Sequence, residues 1–293
     1  MARRRPGPKR ARVHPVFAMG CGFVRRQTYP RPTSVPTVLM IVALTGQKGG
    51  VGKSTVAVNL AAEALARGMS VLLVDADPQA TARTWGATAA KHGHPIPTIV
   101  AMGAEMNRPD QLPRLAGGFD LVVIDCPARS DDVQRAALLV ADLALLPCGP
   151  AAFDAWALAA SLQTVGEARV LRPALDAAVI VTRKQKGTAL GEGARDVLAG
   201  GGLPLLATEL GYRVAYQEAA ASGQAVSAYA PRSEAAREVR QLLDDVLARA
   251  RPLASTPPSK GRPAGRRTPH GQEASVQAAR SPRPPAARPS KRR

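Results

Sequence analysis

From residue 38 onward the chain alternates short, wholly apolar runs with longer segments in which apolar residues recur every three or four positions. The runs VLMIVAL (38–44), SVLLVD (70–75), FDLVVIDCP (119–127), DLALLP (142–147), AAVIVT (177–182) and LPLLAT (203–208) predict strands, with a shorter one at 97–101. Helical spacing occupies STVAVNLAAEALARG (54–68), which stops at Gly68, a suitable C′ residue. Further helices are predicted at 80–92, through QRAALLVA, and at 153–167, 188–199, 214–222 and 233–250. Strands made almost entirely of Val, Ile and Leu are buried on both faces, as in a parallel sheet covered by helices. The alternation therefore predicts an α/β fold: a doubly wound, mostly parallel sheet with helices on both faces.

Ligands in such sheets sit at the carboxyl ends of the strands. Four polar loops fall there, at 45–55, 75–79, 125–132 and 147–154. The first reads GQKGGVGKST (46–55). It follows a strand and opens a helix, so backbone N–H groups and the helix N-terminus converge on anionic oxygens. Gly49, Gly50 and Gly52 allow close backbone approach and positive φ. Lys53 would neutralise phosphates and Ser54 would offer its hydroxyl to Mg²⁺. The strict phosphate-loop pattern asks for glycine where Gln47 stands, and it has no place for a second lysine, Lys48.

Asp125 ends a buried strand, the usual place for a carboxylate that holds a nucleotide's Mg²⁺ through water. VDADPQ (74–79) adds Asp75 and Asp77 at another strand end, where either could instead cap the next helix.

Charge divides the chain into three. Residues 1–39 hold nine Arg and Lys and no acid, and residues 251–293 hold eleven against Glu273 alone. Of the net +18, about −1 is left for residues 40–250. Both ends are rich in Pro and Arg without apolar periodicity, a composition expected to stay disordered. A second reading starts translation at Met40, which would make residues 1–39 an artefact of start-site choice; the sequence leaves both open. The Arg-rich start followed by VHPVFAMGCGFV imitates a signal peptide, but His14 and Pro15 interrupt it. Apolar stretches run to about ten residues, short of the roughly 20 that span a bilayer. Cys21, Cys126 and Cys148 make neither a C-x-x-C pair nor metal-ligand spacing, and they read as small buried fillers in a reducing, cytoplasmic setting.

Q-K-G-G-V-G-K-S-T after a strand, V-D-A-D-P-Q about twenty residues beyond it, and V-V-I-D-C-P further on resemble the ParA family of partition ATPases, part of the deviant Walker A group that includes MinD. The resemblance covers residues 40–250. It implies that Gln47 is normal and that Lys48 is the signature lysine, reaching across an ATP-bound dimer to the partner's phosphates. It further implies a nucleotide site of Lys48, Gly49, Gly50, Val51, Gly52, Lys53, Ser54 and Thr55, with Thr55 at the α-phosphate. Asp77 would orient the attacking water, and Asp75 would lie in the second shell of Mg²⁺. Thr182 and Arg183 match a segment near the adenine.

Thirty-nine Pro/Arg-rich residues cannot form a three-helix operator reader, so the chain looks like the short, ParF-like class. A MinD-like membrane switch would end in a basic amphipathic helix, whereas SEAAREVRQLLDDVLARA carries Glu234, Glu238, Asp244 and Asp245 and is expected to pack on the sheet. A nitrogenase-iron-protein-like reductase would need cluster-binding cysteines, and a cobyrinate-type amide ligase a second domain. The expected protein is a nucleoid-associated ATPase using ATP and Mg²⁺. It dimerises on ATP, binds DNA without sequence preference, and is released when a centromere-binding ParB/ParG-type partner stimulates hydrolysis. The alternative is the same switch positioning conjugation, secretion, chemotaxis or division machinery.

Overall fold

A computed structural model describes residues 40–250 of the chain. The expectations for residues 1–39 and 251–293, the N-terminal start and Cys21 included, lie outside the described residues.

Seven strands form one sheet: β1 (Met40–Leu44), β2 (Val71–Asp75), β3 (Thr98–Ala101), β4 (Leu121–Asp125), β5 (Leu143–Cys148), β6 (Asp176–Lys184) and β7 (Leu205–Gly211). Their order is β3-β2-β4-β1-β5-β6-β7, and every pairing is parallel. The chain moves outward one way from β1 and then, between β4 and β5, crosses to the other side. That reversal places the topological switch point at the carboxyl end of β1, where the GQKGGVGKST loop begins.

Alternate residues of each central strand enter two separate cores. Ile41, Ala43, Val122 and Ile124 meet α4 (Asp131–Val140) and α5 (Ala152–Leu171) on one face. Met40, Val42, Leu44 and Val123 meet α1 (Lys53–Ala66) and α9 (Glu234–Leu247) on the other. Each such Val or Leu contributes roughly 1.5–3 kcal/mol of transfer free energy, which is why the strands read as unbroken apolar runs. Helix α1 ends as its sequence signals, with Gly68 at φ 85° after the Arg67 cap. Helix α9 lays Leu242, Leu243 and Val246 against the sheet, the packing role expected of it, and puts Val239 into a separate small cluster with Tyr216, Ala219 and Val226.

The remaining elements are α2 (Thr81–Lys91), α3 (Leu112–Ala116), α6 (Ala189–Ala199), α7 (Val214–Ala221) and α8 (Val226–Tyr229), with a 3₁₀ turn at Ala104–Asn107. The 3₁₀ turn, α3 and α8 are too short for apolar periodicity to reveal. Two strands run past their apolar sequence: β6 continues to Lys184 and β7 to Gly211, carrying both toward the ligand edge of the sheet. Among the described residues, no helix is long and apolar enough to cross a membrane.

Candidate functional site

The loop after β1 wraps around its own lysine. Gly50 (φ 77°) and Gly52 (φ 96°) occupy the left-handed region, which any residue with a Cβ enters only under strain. Gly49 does not take positive φ, contrary to expectation; nothing lies within 4 Å of where its Cβ would stand, so its lack of a side chain only leaves space. Lys53 is buried, and its Nζ donates to the carbonyls of Gly46 (3.1 Å) and Lys48 (2.9 Å). Burial lowers its pKa, opposed first by the negative charge of Asp125. A cavity of about 250 Å³ opens over this lysine, lined by Gly49, Gly50, Gly52, Ser54, Thr55 and Asp77.

Asp125 closes the floor. It has no exposed surface, and neither carboxylate oxygen has a hydrogen-bond partner. Burial pushes its pKa up to about 7. Asp75 and Asp77 push the same way, whereas the nearby Ser54 hydroxyl and Lys53 pull it down without supplying a well-aligned hydrogen bond. An orphaned buried carboxyl beside a serine hydroxyl, a lysine and a nest of backbone N–H groups fits a magnesium nucleotide: anionic oxygens for the N–H groups, a hydrated divalent cation for Asp125 and Ser54.

Asp75 lies level with Asp125 on the neighbouring strand. Its Oδ1 accepts from the Asp77 N–H (3.2 Å), and its Oδ2 from the N–H (2.9 Å) and Nε (3.4 Å) of Arg83. Asp77 turns into the cavity, with Oδ1 accepting from the Gln79 N–H at 2.9 Å.

The other lysine of the loop points elsewhere. Lys48 is absent from the lining of the 250 Å³ cavity and pairs at 2.5 Å with buried Asp154, at the start of α5. Its ammonium thus faces Asp154 and not the cavity over Lys53.

A second cavity, of about 320 Å³, shares Gly50, Gly52 and Thr55 with the first and extends over Thr182, Arg183, Tyr212 and Gln217. Thr182 donates its hydroxyl to the Val51 carbonyl (2.8 Å) and Arg183 its Nη1 to that of Gly50 (2.9 Å), so the end of β6 grips the phosphate loop from behind. Arg183 does so from a left-handed backbone (φ 55°), its guanidinium 5.9 Å from the Tyr212 ring centroid. A nucleotide lying across both cavities would have its phosphates over Lys53 and its base beside Thr182 and Arg183.

Several residues that build the site escape sequence reasoning. Buried Gln134 accepts from the Thr45 hydroxyl (2.7 Å) and donates to the Pro127 carbonyl (3.0 Å), tying two site loops together. Ser161 Oγ accepts from the Gln47 N–H at 3.1 Å. Asp154 and Arg83 had no signal either, because their partners are distant in sequence or lie on another element. Cys126 and Cys148 are buried thiols whose pKa values burial pushes up, the latter to about 12. Among the described residues no three His, Cys, Asp or Glu gather as a metal cluster.

Residues 42–226 match the family described as the CobQ/CobB/MinD/ParA nucleotide binding domain. Among curated relatives, the maintenance of carboxysome distribution protein A of Halothiobacillus neapolitanus is 30% identical over 209 residues, 70% of this chain and 95% of that protein. The chromosome-partitioning ATPase Soj of Thermus thermophilus is 30% identical over 237 residues, covering 71% and 95%. The fold is shared with the septum site-determining protein MinD of Pyrococcus horikoshii, solved with Mg-ADP, at TM-score 0.56 and 21% identity over 71% of this chain and 97% of that one. Fold, loop geometry and family match agree, and the chain belongs to the CobQ/CobB/MinD/ParA family of nucleotide-binding proteins as a ParA-type ATPase.

Proposed function

We propose that the chain is an ATP-driven DNA partition protein: it binds ATP with Mg²⁺, dimerises, holds DNA without sequence preference, and lets go when a centromere-binding partner of the ParB/ParG type stimulates hydrolysis. The observation that carries this reading is the division between the two lysines. Lys53 is enclosed by its own loop, whereas Lys48 is half-exposed and lies outside its own phosphate cavity, where a second copy could use it.

In this reading Lys53 and the N–H groups of Gly50, Val51 and Gly52 bind the β- and γ-phosphates, and Thr55 the α-phosphate. Thr182 and Arg183, with Tyr212 opposite, enclose the adenine. Ser54, and Asp125 through water, hold Mg²⁺, which offsets the charge that develops on the phosphate oxygens. Asp77 orients the attacking water, and Lys48 of the second subunit adds a cation at the same developing charge. Hydrolysis returns the dimer to monomers and so releases DNA.

The folded part carries about −1, while residues 1–39 and 251–293 carry about +9 and +10. A dimer doubles both arms and presents roughly forty positive charges to one duplex, enough for avidity on a phosphate lattice. ATP thus controls DNA binding by doubling the number of arms. A second reading keeps the same switch but changes the cargo; it is favoured by the resemblance to a carboxysome distribution protein.

Duplex affinity of the full chain and of residues 40–250, measured with ATP and with ADP over a salt series, tests the reading. Removing the arms should weaken binding and flatten the salt dependence, which falls about 0.9 log units per phosphate contact per decade of salt, while ATP-driven dimerisation persists. Unchanged affinity and slope would place the DNA site on the folded dimer. DNA binding indifferent to nucleotide would contradict the switch itself.

A further inference from the structure

The loop that carries Asp77 is held from α2, a helix that does not line the cavity over Lys53. Asp75, at the end of β2, is buried, yet its carboxylate meets three N–H donors: one from Asp77 and two from Arg83, the third residue of α2. The Arg83 N–H is one of the first four of its helix, which have no partner inside the helix, so Asp75 acts as a side-chain cap reaching across from the strand. The guanidinium adds charge to that cap. Around the cavity, Lys53 is the cation that opposes Asp125 and Asp77, while Arg83 is paired with Asp75.

The consequence runs along the chain from Asp75 to Ala80. Asp75 Oδ1 fixes the backbone of Asp77; Asp77 Oδ1 in turn caps Gln79, and its carbonyl accepts from the Ala80 N–H at 2.9 Å. Ala80 closes the turn in the left-handed region (φ 56°), a conformation that costs a non-glycine residue free energy and needs the surrounding bonds to hold it. The position of the Asp77 carboxylate in the cavity is therefore determined outside the cavity.

We propose that Arg83 is a positioning residue for hydrolysis: by clamping Asp75 from α2 it fixes the Asp77 turn and so aims the carboxylate that orients water. The inference rests on the reading of Asp77 given above. It assigns the two buried carboxylates different work, with Asp125 facing the metal and Asp75 serving as the anchor between the switch turn and α2. Arg83 lines neither cavity of the site, and its contact with the site runs through Asp75.

The test uses the full chain with Arg83→Met, Arg83→Lys and Asp77→Ala, and the double variant Arg83→Met/Asp77→Ala. Steady-state turnover, affinity for a fluorescent ADP, thermal midpoint, and lifetime of the ATP-state dimer after a chase of ADP are measured on each. Arg83→Met should lower kcat roughly tenfold, as expected for a misplaced reacting group, with KM and ADP affinity within about twofold of the parent. The dimer should live longer in proportion, and Arg83→Lys should recover part of both effects. On the Asp77→Ala background, Arg83→Met should change residual turnover and dimer lifetime by less than about twofold, because the group it aims has gone.

Parental kcat in Arg83→Met, or a tenfold loss that persists on the Asp77→Ala background, overturns the proposal. So does a kcat loss matched by an equal loss of ADP affinity. If Arg83→Met fails to fold, Arg83→Ala, which removes the side-chain donor without adding bulk, takes its place with the same outcomes. Normal turnover in Asp77→Ala would instead remove the Asp77 reading itself, a result distinct from slow Asp77→Ala beside unaffected Arg83→Met.

Discussion

The ends of β2 and β4 stand side by side in register, each finishing on a buried aspartate, and the two differ in what surrounds the carboxylate. Asp75 accepts three hydrogen bonds, one of them from the Arg83 guanidinium with which it is ion-paired, while Asp125 accepts none. A buried carboxylate without donors is costly in an isolated chain, because its charge has been taken from water with nothing in return. A carboxylate saturated by N–H groups is a piece of architecture. Burial alone would have placed both in one role; their partners separate them, and the unsatisfied one marks where a cation belongs.

The same contrast divides the two lysines of the phosphate loop, and the largest expected effect breaks it there. Lys53→Ala should lower nucleotide affinity at least about a hundredfold, since charge-assisted hydrogen bonds worth roughly 1.5–3 kcal/mol each are lost with the ammonium. Lys48→Ala should bind nucleotide within about threefold of the parent and yet fail to dimerise or hydrolyse ATP. Equilibrium binding and sedimentation of both variants decide the matter. Normal dimerisation and turnover in Lys48→Ala would return that lysine to a local pair with Asp154.

A smaller effect sharpens the comparison of the carboxylates in the nucleotide-free protein. The Asp125 pKa is pushed up to about 7 from an ordinary 3.8, so between about pH 4 and pH 7 the folded chain holds a proton that the unfolded chain has released. Stability contributed by that proton is therefore lost as pH rises through this window, and on the order of 2–4 kcal/mol is at stake. Asp125→Asn should flatten the decline and raise stability at pH 8. Urea midpoints at several pH values measure it; a pH slope unaltered by Asp125→Asn would mean that the buried carboxyl is not the group responsible.

The sheet was legible in the sequence because each central strand is apolar along nearly its whole length, and burial on two faces leaves few other readings. The glycine loop, Lys53, Ser54 and Asp125 were legible because their chemistry depends on local order along a strand, a turn and a helix start. What the sequence did not disclose depends on distance in the chain. Gln134 reaches Thr45 across 89 positions, and Asp154 meets Lys48 from the start of α5. Tyr212 joins Arg183 only because β7 lies beside β6 and both run past their apolar cores. Short elements such as α3 and α8 escaped for another reason, since one turn of helix has no period to detect. VDADPQ offered Asp75 either the second shell of Mg²⁺ or the cap of the next helix, and its Oδ2 accepts from the Arg83 N–H in the first turn of α2, the capping arrangement; the added Arg83 guanidinium is what the sequence did not reveal.

The claim that the unsatisfied carboxylate is the one that serves the cation is tested most directly by the gain in ATP affinity that Mg²⁺ provides, measured by calorimetry with Mg²⁺ and with chelator for the parent, Asp125→Asn and Asp75→Asn. The parent should bind ATP more tightly with Mg²⁺. Asp125→Asn should lose most of that gain while keeping its metal-free affinity, and Asp75→Asn should keep the gain. A full Mg²⁺ gain in Asp125→Asn, or its loss in Asp75→Asn alone, would contradict the account.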